Sequence, residues 1–187
     1  MNPTKPDLKL IFALVIVGIV WGTTYLGIRV AVETIPPWFV TSIRQGVAAI
    51  IVFIMIIYKK ELSWIGWGNF KIQFVLSILM LVVANSFTTI AEQTLPSGLT
   101  SIMSAMSPVI VFVGSLIIGL QKPNYKGFIG VVLGFTGVVF IFRNGLSDIL
   151  DPNYKTGIFF LSIAIICWLI AVLYYKWHSH QSNNITL

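Results

Sequence analysis

The chain has 187 residues, 57% of them hydrophobic and only 10% charged, with a mean hydropathy of +0.91. Soluble domains carry about 25% charged residues, so that class is excluded. The net charge of +6 comes from 12 Lys and Arg that lie almost entirely between apolar runs, a pattern of membrane orientation and not of nucleic-acid binding. A single cysteine, Cys167, sits inside an apolar run and leaves no intramolecular disulfide to form.

Six apolar stretches approach the roughly 20 residues that cross a bilayer: Leu8 to Ile28, Phe39 to Tyr58, Ile72 to Thr89, Leu99 to Ile118, Phe128 to Phe142 and Gly157 to Tyr175. The connections are short and leave no room for a soluble domain, and backbone satisfaction in lipid requires helices. The first stretch has Lys5 and Lys9 near its start, as a signal peptide would. Its apolar run is too long, however, and no small-residue cleavage site follows before Arg29, so it is expected to stay in the protein.

Lys5, Lys9, Lys59, Lys60, Lys71, Lys122, Lys126 and Lys176 fall on the side of the N-terminus. Arg29, Arg143 and Lys155 fall opposite, with Glu33, Glu92, Asp148 and Asp151. The bias predicts cytoplasmic termini in a multi-pass inner-membrane protein. Trp38, Tyr58, Trp64, Trp67, Tyr154 and Trp177 lie near the interfaces, as anchoring rings do.

Gly127, Gly130, Gly134 and Gly137 share one stripe of the fifth stretch, and Gly18 and Gly22 lie four apart in the first. These positions are expected to let helices pack closely. Gly114 and Ser115 are read the same way in the fourth.

An internal echo links the first and sixth stretches. Ile19-Val20-Trp21 is followed eight residues after the tryptophan by Arg29, and Ile165-Ile166-Cys167-Trp168 is followed at the same spacing by Lys176. The two stretches run in opposite directions through the membrane, as related elements of inverted-repeat transporters do.

Polar residues inside a bilayer are costly and are functional candidates. Trp21, Thr24 and Tyr25 lie beyond the midplane of the first stretch, and Arg44 about 8 Å in from the outer end of the second. Asn85, Thr88 and Thr89 occupy the outer half of the third. Ser101, Ser104 and Ser107 descend the fourth to Pro108, which removes the hydrogen bond that the Ser104 carbonyl would accept. Helices around a wet cavity open to the exterior would satisfy this set together. Each member also has a plainer reading: Arg44 can snorkel, or pair with Glu33 or Glu92, Trp21 and Tyr25 can simply pack, and the serines can bond to their own helix.

No catalytic signature occurs: HExxH, CxxC, a phosphate-binding Gly-rich loop and GxSxG are all missing from the sequence. No cofactor or metal is implied. His178 and His180 are read as part of a solvated cytoplasmic tail, where the glycosylation-like Asn184-Ile185-Thr186 also falls.

Several short patterns, in order and on the right helices, resemble the drug/metabolite transporter superfamily in its EamA-type branch. They are Trp21-Gly22-Thr23-Thr24-Tyr25 up to Arg29, Arg44-Gln45-Gly46-Val47-Ala48-Ala49, the small-residue run from Leu99 to Pro108, and the glycine stripe from Gly127 through Gly137 to Val138-Val139-Phe140. The resemblance covers roughly residues 10 to 176. It departs at Gln121, where the family usually carries Glu, and in helix number, since the family fold has ten helices in two inverted repeats of five.

The resemblance implies alternating-access transport of a small metabolite, amino acid or drug, often as efflux. The expected architecture is an all-α membrane protein of six transmembrane helices. Residues 1–145 form one five-helix repeat, and residues 146–187 form the first helix of an inverted second repeat with a cytoplasmic tail. Trp21, Thr24, Tyr25, Arg44, Asn85, Ser101, Ser104 and Pro108 are the expected substrate-binding residues, in a cavity walled by helices one to four. The expected partners are the lipid bilayer, a small-molecule substrate, and either a homodimer or a polypeptide supplying the second repeat. The face of helix six is expected to be built for helices that this chain does not contain. The alternative is a non-transporting six-helix scaffold or regulatory subunit. An enzyme is not expected.

Overall fold

The structure, a computed structural model, describes residues 8–122, 124–141, 143 and 151–185. Lys5, Asp148, Thr186 and the expected repeat boundary between residues 145 and 146 lie outside the described residues.

Among the described residues, six helices carry the fold. They are α1 (Leu8–Ala31), α2 (Pro37–Tyr58), α3 (Trp67–Ala91), α4 (Ser97–Ile117), α5 (Tyr125–Ile141) and α6 (Lys155–Ile185). A 3-10 turn, Pro152–Tyr154, leads into α6. The bundle end where α1 begins is called proximal below, and the end where it finishes is called distal. Five of the six helices are long and apolar enough to cross a membrane. The other, α5, has 17 residues, about 25 Å at 1.5 Å per residue, a little short of the roughly 30 Å hydrocarbon core. Large apolar side chains such as Phe12, Phe53 and Leu133 are exposed along the bundle, as lipid contact requires.

Local chemistry sets the helix boundaries. Pro37 occupies the first turn of α2, where its missing N–H costs nothing. The proximal ends of α2 and α4 close in the same way. Beyond α4, Leu120 N–H donates to the Ser115 carbonyl (2.9 Å) and Gly119 N–H to that of Leu116 (3.1 Å). Beyond α2, Glu61 N–H donates to Ile56 (3.1 Å) and Lys60 N–H to Ile57 (3.0 Å). This paired closure needs a left-handed residue. Gly119 supplies it at φ 74°, whereas Lys60 does so at φ 56° with a side chain.

Two helices are irregular inside. Residues Ser77–Ala84 of α3 form a π-helical segment, a feature that often marks functional positions in helices. In α4 the helix breaks at Met106, between Ser97–Ala105 and Ser107–Ile117, two residues before Pro108. The proline cannot donate to Ser104, and the turn at Met106 is the consequence.

The core lies where α6 crosses α3 and α4. Ala91, Leu95, Leu99, Ile102 and Leu161 form a fully buried cluster, and Ala164 and Ala171 extend the buried face of α6. One face of α6 is therefore packed on α3 and α4 of the same chain, while Phe159, Ile166, Ile170 and Trp177 stay exposed. At the distal end Ile28, Val32 and Val40 make a smaller cluster between α1 and α2. A hydroxyl pair, Thr41 to Thr89 (3.0 Å), ties α2 to α3.

The glycine expectation needs correction. A Cβ at Gly18, Gly22, Gly130, Gly134 or Gly137 would meet nothing within 4 Å, so these glycines hold no close helix contact within the described residues. Gly127 does, with Phe112 at 3.3 Å, and so does Gly114, with Leu173 at 3.1 Å. A stripe permits close approach but does not supply the neighbour.

The expected polar tail differs as well. The α6 helix continues through His178 to Ile185, because no glycine or proline interrupts it. His178 packs against Tyr174 four residues earlier, with ring centroids 4.2 Å apart and the planes tilted at 55°.

Candidate functional site

A cavity of 930 Å³ opens among α1, α2, α3, α4 and α6. Trp21, Thr24, Tyr25, Arg44, Asn85, Ser101, Ser104 and Pro108 all line it, together with Thr88 and Ser107. The fold thus brings together residues from four helices that the sequence offered separately. The fifth wall was not expected. Ala164, Ile165, Trp168 and Val172 of α6 complete the cavity, and Trp168 meets Trp21 edge to face. The sequence echo around the two tryptophans was the available signal for that wall.

Arg44 is the one charged residue among those lining the cavity. It sits seven residues into α2, about 10 Å from the distal end. Its Nη1 is buried and has no hydrogen-bond partner among the described residues. The hydrogen-bonded pairing with Glu33 or Glu92 weighed from the sequence is not made through that atom.

The polar wall has a definite chemical character. Thr24 Oγ1 donates to the Val20 carbonyl (2.8 Å), Thr88 Oγ1 to Ala84 (2.8 Å) and Ser101 Oγ to Ser97 (2.8 Å). Each hydroxyl has one proton, and that proton is spent on the helix. What these groups present to the cavity is acceptor oxygen. Asn85 Nδ2 donates to the Met80 carbonyl, five residues back (2.8 Å), a contact set up by the π-helical segment. Its Oδ1 stays uncommitted by that bond. Arg44 is donor-only, so the cavity carries one cationic donor and several neutral acceptors, with the hydroxyls of Tyr25, Ser104 and Ser107 and the indole N–H groups of Trp21 and Trp168, on a mainly apolar lining.

At the distal end Arg29 Nη1 donates to two carbonyls that follow α3, Glu92 O (2.5 Å) and Gln93 O (2.7 Å). Those carbonyls have no helical donor ahead of them, and a cation suits the negative end of the helix dipole. Glu92 itself is fully buried (0% exposed), and neither of its carboxylate oxygens has a partner among the described residues. Burial pushes its carboxyl up to about 8, against the pull of Arg29 and Arg44. Sequence reasoning considered Glu92 only as a partner for Arg44; position alone gave no sign that it would be buried. At the proximal end Lys176 Nζ donates to Ser115 Oγ (3.1 Å), joining α6 to α4. Among the described residues no group of three or more His, Cys, Asp or Glu could hold a metal ion.

The model of the EamA-like transporter family matches residues 8–143. The chain is 29% identical over 182 residues to Protein PagO of Salmonella typhimurium, covering 97% of this chain and 59% of that protein. It is 29% identical to the uncharacterized transporter YoaV of Bacillus subtilis, over 90% of this chain and 57% of that one. It is 26% identical to the uncharacterized inner membrane transporter YedA of Escherichia coli K12, over 89% and 53%. The chain thus spans little more than half the length of these relatives. No solved structure matches it.

Proposed function

The chain belongs to the EamA-like transporter family, and on that premise we propose that it forms the solute-binding half of an inner-membrane transporter that moves a small zwitterionic or anionic metabolite by alternating access. The observation that carries this reading is the composition of the cavity wall: one charged residue, Arg44, shares a mainly apolar lining with neutral hydroxyl and amide groups. A carboxylate would pair with the guanidinium, and an ammonium group would find the Oδ1 of Asn85 and the hydroxyl oxygens of Thr24, Thr88 and Ser101, whose protons are turned to their own helices. An amino acid has both groups. The apolar remainder, including Trp21 and Trp168, suits its side chain.

In this reading α5 is a sixth span, both termini are cytoplasmic, and the cavity faces outward in the state described. Helices α1 to α5 make up one repeat, and α6 begins an inverted second one. Movement of one repeat against the other would carry the solute across, with a second-repeat polypeptide or a second copy of the chain completing the unit.

Counterflow of a panel of labelled amino acids in proteoliposomes tests the reading, with Arg44→Gln and Arg44→Lys as variants that are first shown to insert. Arg44→Gln should abolish exchange. Arg44→Lys should retain part of it, because the charge remains but the planar fork is lost. Normal exchange by Arg44→Gln would overturn the assignment. A scaffold with a dry cavity makes a different statement. After Cys167→Ser, cysteines placed at Thr24, Asn85 and Ser104 should react with an impermeant thiol reagent, whereas a cysteine at the fully buried Thr89 should not. Equal protection of all four would favour the scaffold.

A further inference from the structure

A fully buried carboxyl, Glu92, and a half-buried guanidinium, Arg44, lie in the distal half of the bundle without satisfying one another. Neither oxygen of Glu92 and not the Nη1 of Arg44 has a hydrogen-bond partner among the described residues, yet each group acts on the charge of the other. Arg29, the other cation acting on Glu92, directs Nη1 to the carbonyls of residues 92 and 93. An ionised carboxylate buried without a partner is costly, and a neutral carboxyl is not. The arrangement shown therefore fits a protonated Glu92 beside an Arg44 whose charge is left to the cavity.

We propose that Glu92 is a proton-binding site whose occupancy decides whether the charge of Arg44 is available to an anionic group in the cavity. The inference rests on Arg44 being the cationic anchor of the solute. With the proton on Glu92, the guanidinium is uncompensated and attracts a carboxylate. When Glu92 gives its proton to water it becomes a carboxylate, and this internal anion competes with the solute for Arg44. No bond in the solute changes. Proton and anion are then positively linked, and the linkage is reciprocal: the proton favours anion binding, and the anion favours protonation.

The ionisable neighbours support this assignment. The ionisable residues of the segments at the distal end are Arg29 and Glu33 at the α1 end, Arg44 in α2, and Asp151, Tyr154 and Lys155 before and at the start of α6. Of these, Arg29 and Arg44 are the ones that act on Glu92. Both favour its ionised form, while its burial opposes that form, so the balance lies where ordinary changes of pH can tip it.

Infrared difference spectra of the purified full chain in detergent, titrated between about pH 5 and about pH 10, test the site. The expected result is a carboxyl band that titrates within this range well above the ordinary carboxylate value, disappears in Glu92→Gln, moves to higher pH in Arg44→Gln and moves back in Arg44→Lys. A Glu92 that titrates in the ordinary carboxylate range, or that ignores Arg44→Gln, overturns the proposal. Binding of benzoate, a simple carboxylate read through tryptophan fluorescence, separates the two readings. Wild-type affinity should fall about tenfold from roughly pH 7 to roughly pH 9, and Glu92→Gln should remove that slope. Benzoate binding that needs Arg44 but is flat with pH overturns the proton site and keeps the cavity reading. Binding that is indifferent to Arg44→Gln, or absent at every pH, removes the cavity reading and this proposal with it.

Discussion

Trp21 and Trp168 meet edge to face inside the bundle, their ring centroids 6.4 Å apart and their planes at 76°. They hold corresponding places in two stretches of similar sequence, on helices that run in opposite directions. The cations eight residues further on are consequently sent to opposite ends. Arg29 binds the carbonyls that end α3 distally, and Lys176 binds Ser115 near the proximal end of α4. One short pattern, used twice, joins the cavity wall at its middle and secures a neighbouring helix at each end.

An edge-to-face pair is worth about 0.5–1.5 kcal/mol beyond the area it buries. A double-mutant cycle with Trp21→Leu and Trp168→Leu, read by thermal unfolding in detergent, should return a coupling of about 1 kcal/mol. Strict additivity would mean that the rings touch without stabilising one another.

Lys60 adopts φ 56° in the closing turn of α2, where Gly119 adopts φ 74° in the equivalent turn of α4. A side chain in the left-handed region costs about 1 kcal/mol that glycine does not. Lys60→Gly should raise stability by about that amount, and Gly119→Ala should lower it by a similar one. Matched denaturation curves of the two variants check both signs.

The glycines divide into two kinds. A Cβ at Gly157 would overlap Thr94 Oγ1 and lie 2.6 Å from Leu95 Cγ and 3.0 Å from the Ala91 carbonyl oxygen. Gly157→Ala should therefore push α6 off α3, at a cost of about 1–3 kcal/mol typical of overpacking. A Cβ at Gly130 meets nothing, so Gly130→Ala should be neutral or stabilising by up to about 1 kcal/mol. A loss at Gly130 comparable to that at Gly157 would reveal a neighbour supplied from outside this chain.

Glu92 gives stability a pH dependence of defined sign. Its carboxyl is raised from an ordinary 4.5 to about 8 in the folded protein, so between those values the folded state holds the proton and the unfolded state does not. The unfolded state binds fewer protons, and stability therefore falls as pH rises through this window. Glu92→Gln should flatten that slope. Unfolding midpoints across the window, compared for the two proteins, decide it. A slope unchanged in Glu92→Gln would assign it to other groups.

The length and spacing of the apolar runs were enough to give the helices, because a bilayer permits a spanning segment almost nothing else. The polar set was also legible, since a hydroxyl, amide or guanidinium inside an apolar run announces its cost in the sequence itself. The eight expected substrate-binding residues lie on one cavity, whereas Thr89, picked out on the same ground, is buried against Thr41 instead. What the sequence could not specify was anything that depends on a neighbour. Gly127 has Phe112 against it while Gly130, three residues on, has open space, and no local pattern separates the two. The glutamate following α3 looked like any interfacial acid until α1, α2 and α6 closed around it. Burial is a property of helix packing, and only the tertiary structure decided which polar groups would be left inside without a partner.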